Sequence, residues 1–138
     1  MRRSDLLLVL IVAVCVPIIA LLPMAGATGG QRVNYYHVKA VTIKVDRPSR
    51  TLSGKVVADS FDAHFCTSSG DWPVNVYRVT PGADDKVAHT RTNFSAEWHF
   101  TVRSDALKGK RVYAKVPSFH NNANGFCVGA RSRTVSAP

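Results

Sequence analysis

The feature that most constrains this chain is an apolar N-terminal run, residues 6–22, that contains no charged side chain. Two arginines precede the run, and Ala25 and Ala27 follow it with the small-residue spacing of a signal-peptide cleavage site. This arrangement predicts a signal peptide over residues 1–27. Everything after it is then expected to leave the cytoplasm.

The same run leaves a second interpretation open, a retained N-terminal membrane anchor. The run is longer than the apolar part of most cleaved signals, about 7–15 residues, and shorter than the ~20 residues of a spanning helix. Pro17 within it disfavours a continuous span. Both interpretations place the rest of the chain outside the cytoplasm, secreted or anchored at the outer face of the membrane. A membrane contact is expected only through this segment, if it stays uncleaved.

Export decides how the cysteines are interpreted. Cys15 lies within the apolar run, which leaves Cys66 and Cys127 in the exported part. An even pair in an exported domain predicts a disulfide, and closing the loop of about 60 residues between them would stabilise the fold by ~4 kcal/mol. A free catalytic thiol is the alternative, but it requires a base partner that the sequence does not identify.

The exported part is basic. Without Arg2, Arg3 and Asp5 of the leader, 16 basic and 8 acidic residues remain, a net charge of +8. The basic residues are spread along the chain and form no Lys/Arg-rich run, and no RNA-binding signature is present. No nucleic-acid partner is therefore expected, and weak adhesion to anionic envelope polymers is the expected consequence of the charge.

Beyond a Gly-rich linker, residues 28–36, apolar residues recur with a period of two in short segments between turn residues. The segments predicted as strands are 38–45, 51–58, 74–79, 86–92, 97–102, 111–116 and 127–135. A helical turn is expected only at residues 104–108. Seven short strands predict an all-β sandwich over residues 37–138, preceded by the hydrophobic signal or anchor helix.

The alternation within the strands also predicts which side chains face the core. The residues predicted to point inward include Trp98, Phe100, Val102, Val112, Ala114 and Val116. Gly54 interrupts the second strand, so a bulge or a close approach of another backbone segment is expected there.

The order of residues 52–56, 73–77, 98–100 and 110–116, followed by a cysteine strand, resembles the transthyretin-like or prealbumin-like sandwich. This group also holds the carboxypeptidase regulatory-like and Cna protein B-type domains and small secreted bacterial proteins. The resemblance implies a seven-stranded, immunoglobulin-like or prealbumin-like fold and a role as a binding, spacer or stability module. Its hydroxyisourate hydrolases end in Tyr-Arg-Gly-Ser, whereas this chain ends in Val-Ser-Ala-Pro, so the resemblance implies no catalytic residue. Ala96 also departs from the glycine usual in that turn.

Two histidines are weak candidates for metal ligands. If the fourth and fifth strands form a hairpin centred on Phe94, His89 and His99 lie opposite each other, and Arg91 pairs with Glu97. A catalytic zinc site takes three protein ligands, and the sequence offers no third here. No metal and no cofactor are therefore expected.

Two polar loops flank the expected disulfide and are the candidate ligand-binding region. Aromatic ring faces beside amides suit sugar rings, because the aromatic ring covers the apolar face of the sugar while the amides bond its hydroxyls. An ordinary turn-forming role is the alternative, since Asn and Gly favour turns. The candidate residues are Trp72, Phe119, His120, Asn121, Asn122 and Asn124.

No Gly-x-Ser-x-Gly, phosphate-binding loop or His-Glu-x-x-His motif is present in the sequence, so no catalytic residue is predicted. The expected function is that of an exported, non-enzymatic module, binding or structural at the bacterial cell envelope. A cell-wall polymer, a glycan or another secreted protein is the expected partner. Two alternatives stay open: a small secreted hydrolase or metal-dependent enzyme, and a protein–protein interaction or inhibitor domain that uses an edge strand.

Overall fold

A computed structural model describes residues 32–67, 71–121 and 125–138 of the chain. Within these ranges the chain forms ten β-strands, a short helix α1 (Ser60–Cys66) and a 3-10 turn at Asp105–Leu107. The strands are β1 (Asn34–Val41), β2 (Lys44–Asp46), β3 (Thr51–Ala58), β4 (Pro73–Arg78), β5 (Asp85–Arg91), β6 (Glu97–Thr101), β7 (Arg111–Lys115), β8 (Phe119–His120), β9 (Gly125–Val128) and β10 (Val135–Ser136).

The strands form two sheets. In the first sheet the order is β2-β3-β1-β9-β8, and β6 pairs with the free edge of β3. The first half of β1 pairs in parallel with β9, and its second half pairs antiparallel with β3. The second sheet has the order β10-β7-β4-β5, with all neighbours antiparallel. Strands β5 and β6, which follow each other in the sequence, therefore belong to different sheets.

Side chains from both sheets share one hydrophobic core. The largest fully buried side chains are those of Trp72, Trp98, Leu52, Val74, Val76, Val102, Val112, Val116 and Cys127. Burying an aliphatic or aromatic side chain of this size stabilises a fold by roughly 1.5–3 kcal/mol. Of the six side chains predicted to point inward, five are buried and Phe100 is half-buried, which confirms the alternation in β6 and β7.

The strand predictions hold for the middle of the chain and fail near its ends. The prediction for 51–58 is confirmed, and four others agree to within one residue at each end. The seven-strand count is wrong, because the described residues form ten strands: 38–45 divides between β1 and β2, and 127–135 divides between β9 and β10. The predicted linker, 28–36, is also too long, since β1 begins at Asn34. The predicted leader, 1–27, lies outside the described residues.

Thr42 and Gly54 shape the break between β1 and β2. The backbone N–H of Thr42 donates to the Lys55 carbonyl oxygen at 2.8 Å, and the Lys55 N–H donates to the Thr42 hydroxyl at 2.8 Å. A Cβ atom on Gly54 would lie only 1.9 Å from the Thr42 carbonyl oxygen. Gly54 is therefore the close approach that the sequence predicted, and the kinked strand fits against β3 because this position has no side chain.

Helix α1 is an element that the sequence pattern did not predict. It has seven residues, well below the ~12–15 at which an isolated helix becomes stable in water, so packing must hold it. Its Asp62 carboxylate accepts a hydrogen bond from the backbone N–H of His37 in β1 at 2.8 Å. Its last residue, Cys66, is disulfide-bonded to Cys127 of β9, with their Cα atoms 5.8 Å apart. The predicted disulfide is thus confirmed, and it ties the helix to the first sheet.

Substitution of Gly54 tests the close approach between β3 and the Thr42 break. Gly54→Ala should lower the free energy of unfolding by about 2–3 kcal/mol, because the added methyl group displaces the Thr42 carbonyl from the sheet. Gly82→Ala is the matched control, since a Cβ there meets nothing within 4 Å. Urea unfolding of both variants measures the difference, and equal midpoints for the two would contradict the account.

Removal of the disulfide tests how much the cross-link contributes. The double variant Cys66→Ala/Cys127→Ala should lose ~4 kcal/mol of unfolding free energy. Without the cross-link, two positions that are 61 residues apart in the sequence are no longer held together in the unfolded chain, whose conformational entropy therefore rises. The comparison is made by denaturant unfolding against the oxidised protein. Titration of the unreduced, denatured protein should find none of the thiols of Cys66 and Cys127. Two reactive thiols there would refute the bond itself.

Candidate functional site

The structure separates the residues that the sequence placed in the candidate binding loops. The side chain of Trp72 is only 2% exposed and belongs to the core, so its ring cannot cover a sugar. The assignment of Trp72 to a binding surface is therefore wrong. Phe119 in β8 is half-buried and packs against the core, whereas the neighbouring His120 is exposed. Asn122 and Asn124 lie outside the described residues.

Asn121 has a structural task between β8, β9 and α1. Its side-chain oxygen accepts a hydrogen bond from the backbone N–H of Gly125 at 2.9 Å. The backbone N–H of Asn121 donates to the Gly125 carbonyl oxygen at 3.0 Å. Its amide nitrogen donates to the carbonyl oxygen of Phe65 near the end of α1. These bonds join the end of β8 to the start of β9 and to the helix. The Asn121 side-chain oxygen and amide nitrogen thus both make bonds within the fold, which argues against the predicted ligand contact.

A row of rings crosses the first sheet on the strands next to the disulfide; these are the sheet rings, exposed Tyr35 and His120 with half-buried Phe126 between them. Tyr35 of β1 meets Phe126 of β9 edge to face at 5.8 Å between centroids, and Phe126 meets His120 of β8 at 4.8 Å. Their positions follow from register, because Tyr35 pairs with Phe126 and Phe126 with His120 across neighbouring strands. Tyr35 is 63% exposed, so the row presents aromatic surface to solvent.

A second group, the helix rings, lies where α1 packs on β1 and consists of Tyr36, Phe61, His64 and Phe65. Tyr36 stacks on Phe65 at 4.9 Å with nearly parallel planes, and Phe65 contacts Phe61 at 4.7 Å and His64 at 5.6 Å. Phe61 is 63% exposed although it is a large apolar side chain. A helix in this position should bury its apolar side chains, so an exposed Phe61 beside the stacked pair marks a surface suited to a partner.

The disulfide joins the helix that carries the helix rings to β9, the strand that carries Phe126 of the sheet rings. Cys66 directly follows Phe65 of the helix rings, and Cys127 directly follows Phe126 of the sheet rings. Cys127 also pairs with Tyr36 in the β1–β9 register. The sequence prediction of a binding region beside the disulfide thus selected His120 correctly as an exposed ring, but it missed Tyr35, Phe61 and Phe126. The signal for Tyr35 was available, since it alternates with buried Tyr36, but the predicted linker covered it.

An ion pair lies just before α1, the helix that carries three of the helix rings. The Lys39 ammonium group donates to the Asp59 carboxylate at 2.6 Å, just before α1 begins. That hydrogen bond, and then the negative charge of Asp59, raise the pKa of Lys39 above its ordinary value. Both side chains are more than half exposed, so the pair orients the helix start and contributes little to stability.

The predicted His89–His99 pair does not form as expected. β5 and β6 belong to different sheets, so they make no hairpin: His89 lies opposite Asn75 of β4, and His99 lies opposite Ser53 of β3. The His89 Nδ1 atom is hydrogen-bonded to the Asn75 side-chain oxygen at 2.8 Å.

The predicted pairing of Arg91 with Glu97 fails for the same reason. Arg91 pairs with Asp71 at 3.1 Å, and Glu97 lies 3.9 Å from Lys55. Across residues 32–67, 71–121 and 125–138, no cluster of three or more His, Cys, Asp or Glu side chains has the arrangement of a metal site.

Tyr113 of β7 is the centre of a stack on the second sheet. Its ring lies 5.3 Å from that of Tyr77 with nearly parallel planes, and the Arg131 guanidinium lies 4.4 Å from the Tyr113 ring centroid. The hydroxyl of Tyr113 donates to Asp84 at 2.9 Å. Burial raises the pKa of Tyr113 above its ordinary value, and the hydrogen bond to Asp84 raises it further. A ring covered in this way stabilises the sheet and offers no open face to a ligand.

No protein-family model matches this chain, and a search of curated proteins finds no significant match.

In the described ranges, no helix combines the length and the hydropathy that a membrane crossing requires.

The raised pKa of Tyr113 predicts a pH-dependent contribution to stability. A folded-state pKa above that of the unfolded chain gives stability that is complete below about pH 10 and is lost as the pH rises through the folded value. Tyr113→Phe should therefore cost about 1 kcal/mol at pH 8, through the lost hydrogen bond to Asp84, and less at pH 11. Denaturant unfolding at both pH values, with Tyr77→Phe as control, measures this. A cost independent of pH would contradict it.

Proposed function

We propose that this protein is an exported, non-enzymatic β-sandwich module that binds a glycan of the bacterial cell envelope. The observation that carries the proposal is the row of sheet rings, in which exposed Tyr35 and His120 flank half-buried Phe126 across three neighbouring strands. A sugar has apolar C–H faces that pack on aromatic rings and hydroxyls that need hydrogen-bond partners. Tyr35 and His120 carry both features, a ring face and a polar ring atom, on an exposed side chain.

The rigidity of the surface supports binding rather than a role as a spacer. The half of β1 that carries Tyr35 is paired with β9, its other half is paired with β3, and β9 is cross-linked to α1 through Cys66 and Cys127. Rings fixed in this way lose little conformational entropy when a ligand packs on them, so more of the contact energy appears as affinity.

The disulfide also supports the proposed location outside the cytoplasm. Disulfides persist in oxidising compartments, and the bond between Cys66 and Cys127 fits the export that residues 1–27 predict. We place the mature protein in the extracytoplasmic space, either secreted after cleavage of that signal or held at the outer face of the membrane by it.

We further propose that the sandwich is of the prealbumin-like kind. Its support is the two-sheet architecture together with the coincidence of the resembling segments with strands: residues 52–56 lie in β3, 73–77 in β4 and 111–115 in β7. Domains of this kind act as binding or stability modules, which agrees with a ring surface and with the absence of a predicted catalytic motif in the sequence.

Binding to purified peptidoglycan and to chitin tests the glycan proposal. For whichever of the two polymers the wild-type protein binds, Tyr35→Ala should weaken the affinity measured by co-sedimentation by a factor of about five to thirty. The reason is that loss of one ring contact costs roughly 1–2 kcal/mol. Phe94→Ala is the matched control, because Phe94 is 92% exposed but lies in the loop between β5 and β6, away from the disulfide.

The control variant should bind as the wild-type protein does. If Tyr35→Ala retains full binding, or if both variants lose binding equally, the sheet rings are not the binding surface. If the wild-type protein binds neither polymer nor any component of a glycan array, the glycan proposal itself fails.

A further inference from the structure

A second feature, independent of the rings, is an open groove of about 760 Å³ on the first sheet. It extends along the break between β1 and β2, across β3 and β6, to the end of β5. Its lining includes the cationic residues Lys44, Lys55 and Arg91, together with His99 and a single carboxylate, Glu97. The groove shares no lining residue with the sheet rings or the helix rings.

The charges of the groove are only partly neutralised. Arg91 pairs with Asp71 at 3.1 Å, and the Lys55 ammonium lies 3.9 Å from Glu97, a distance at the limit of an ion pair. Lys44 makes no ion pair with any acidic side chain of the described residues. Register places it in a row with Ser53 and His99 across three strands, so its charge stands beside hydrogen-bonding side chains.

Trp98 lies beneath the same groove, with its side chain on the core face of β6. Its side chain is 1% exposed and lines the groove, yet its indole Nε1–H has no acceptor among the described residues. The Nε1 atom lies 2.8 Å from the position that a Cβ atom on Gly54 would occupy.

We propose that this groove binds phosphate groups of an extracytoplasmic polymer. Lysine ammonium groups bind phosphate as point charges, and an arginine and a histidine on the same rim supply further donors. The groove includes the break at Thr42, on either side of which β1 and β2 stay paired with β3. The phosphate site is separate from the glycan surface, so one protein holds a neutral and an anionic part of the envelope at two places.

Titration with soluble polyphosphate tests the groove against net charge. The double variant Lys44→Gln/Lys55→Gln should bind polyphosphate at least fivefold more weakly than wild type at low salt. The control Lys108→Gln/Lys110→Gln removes the same two charges from exposed positions outside the groove and should change affinity less than twofold.

Two outcomes overturn the proposal. Equal losses in the two double variants would show attraction to net charge alone, and full affinity in Lys44→Gln/Lys55→Gln would place the site elsewhere. Vesicles of phosphatidylglycerol, compared with vesicles of phosphatidylcholine, distinguish lipid phosphate from polymer phosphate. Binding to phosphatidylglycerol vesicles without binding to polyphosphate would overturn the proposal that the ligand is a polymer. The Tyr35→Ala variant should bind polyphosphate normally, so failure of the glycan surface and failure of the groove are told apart.

Discussion

The cross-link between Cys66 and Cys127 is the constraint on which the arrangement of this molecule depends. Helix α1 is too short to persist alone, and the bond fixes its end to β9, so that Phe65 can stack on Tyr36. Hydrogen bonds from Asn121 to Phe65 and from His37 to Asp62 add further contacts between the helix and the first sheet. The helix rings therefore depend on the cross-link, whereas strand register aligns the sheet rings.

Local alternation of apolar and polar residues was sufficient to predict the central strands and their buried faces. Val112, Ala114 and Val116 are buried as the period of two requires. Helix α1 was not predicted because seven residues make too few turns to show a helical period, and because its stability comes from contacts distant in sequence. The division of the first predicted strand at Thr42 was not predicted either. It depends on the Thr42 hydroxyl, which takes the place of a backbone carbonyl as the acceptor for the Lys55 N–H.

The candidate site was predicted only in its location. Which residues flank the disulfide can be read from the sequence, but whether a ring faces solvent depends on pairing between strands far apart in the chain. Trp72 is buried in the core, whereas Tyr35 is exposed. Tyr35 was not predicted as a strand residue because β1 begins earlier in the sequence than its composition indicates. His89 and His99 failed as a pair because a short connection between two strands can either turn back or cross to the other layer, and local sequence does not distinguish these.

The parallel pairing of β1 with β9 has a consequence for biogenesis. A chain that is exported from its N-terminus delivers residues 34–37 early, whereas their partners at 125–128 arrive almost last. Such non-local pairing is slow to form, so the leading segment waits unpaired with two tyrosines uncovered. If the chain is exported as proposed, the emerging polypeptide is most prone to self-association in the interval before its final strands follow.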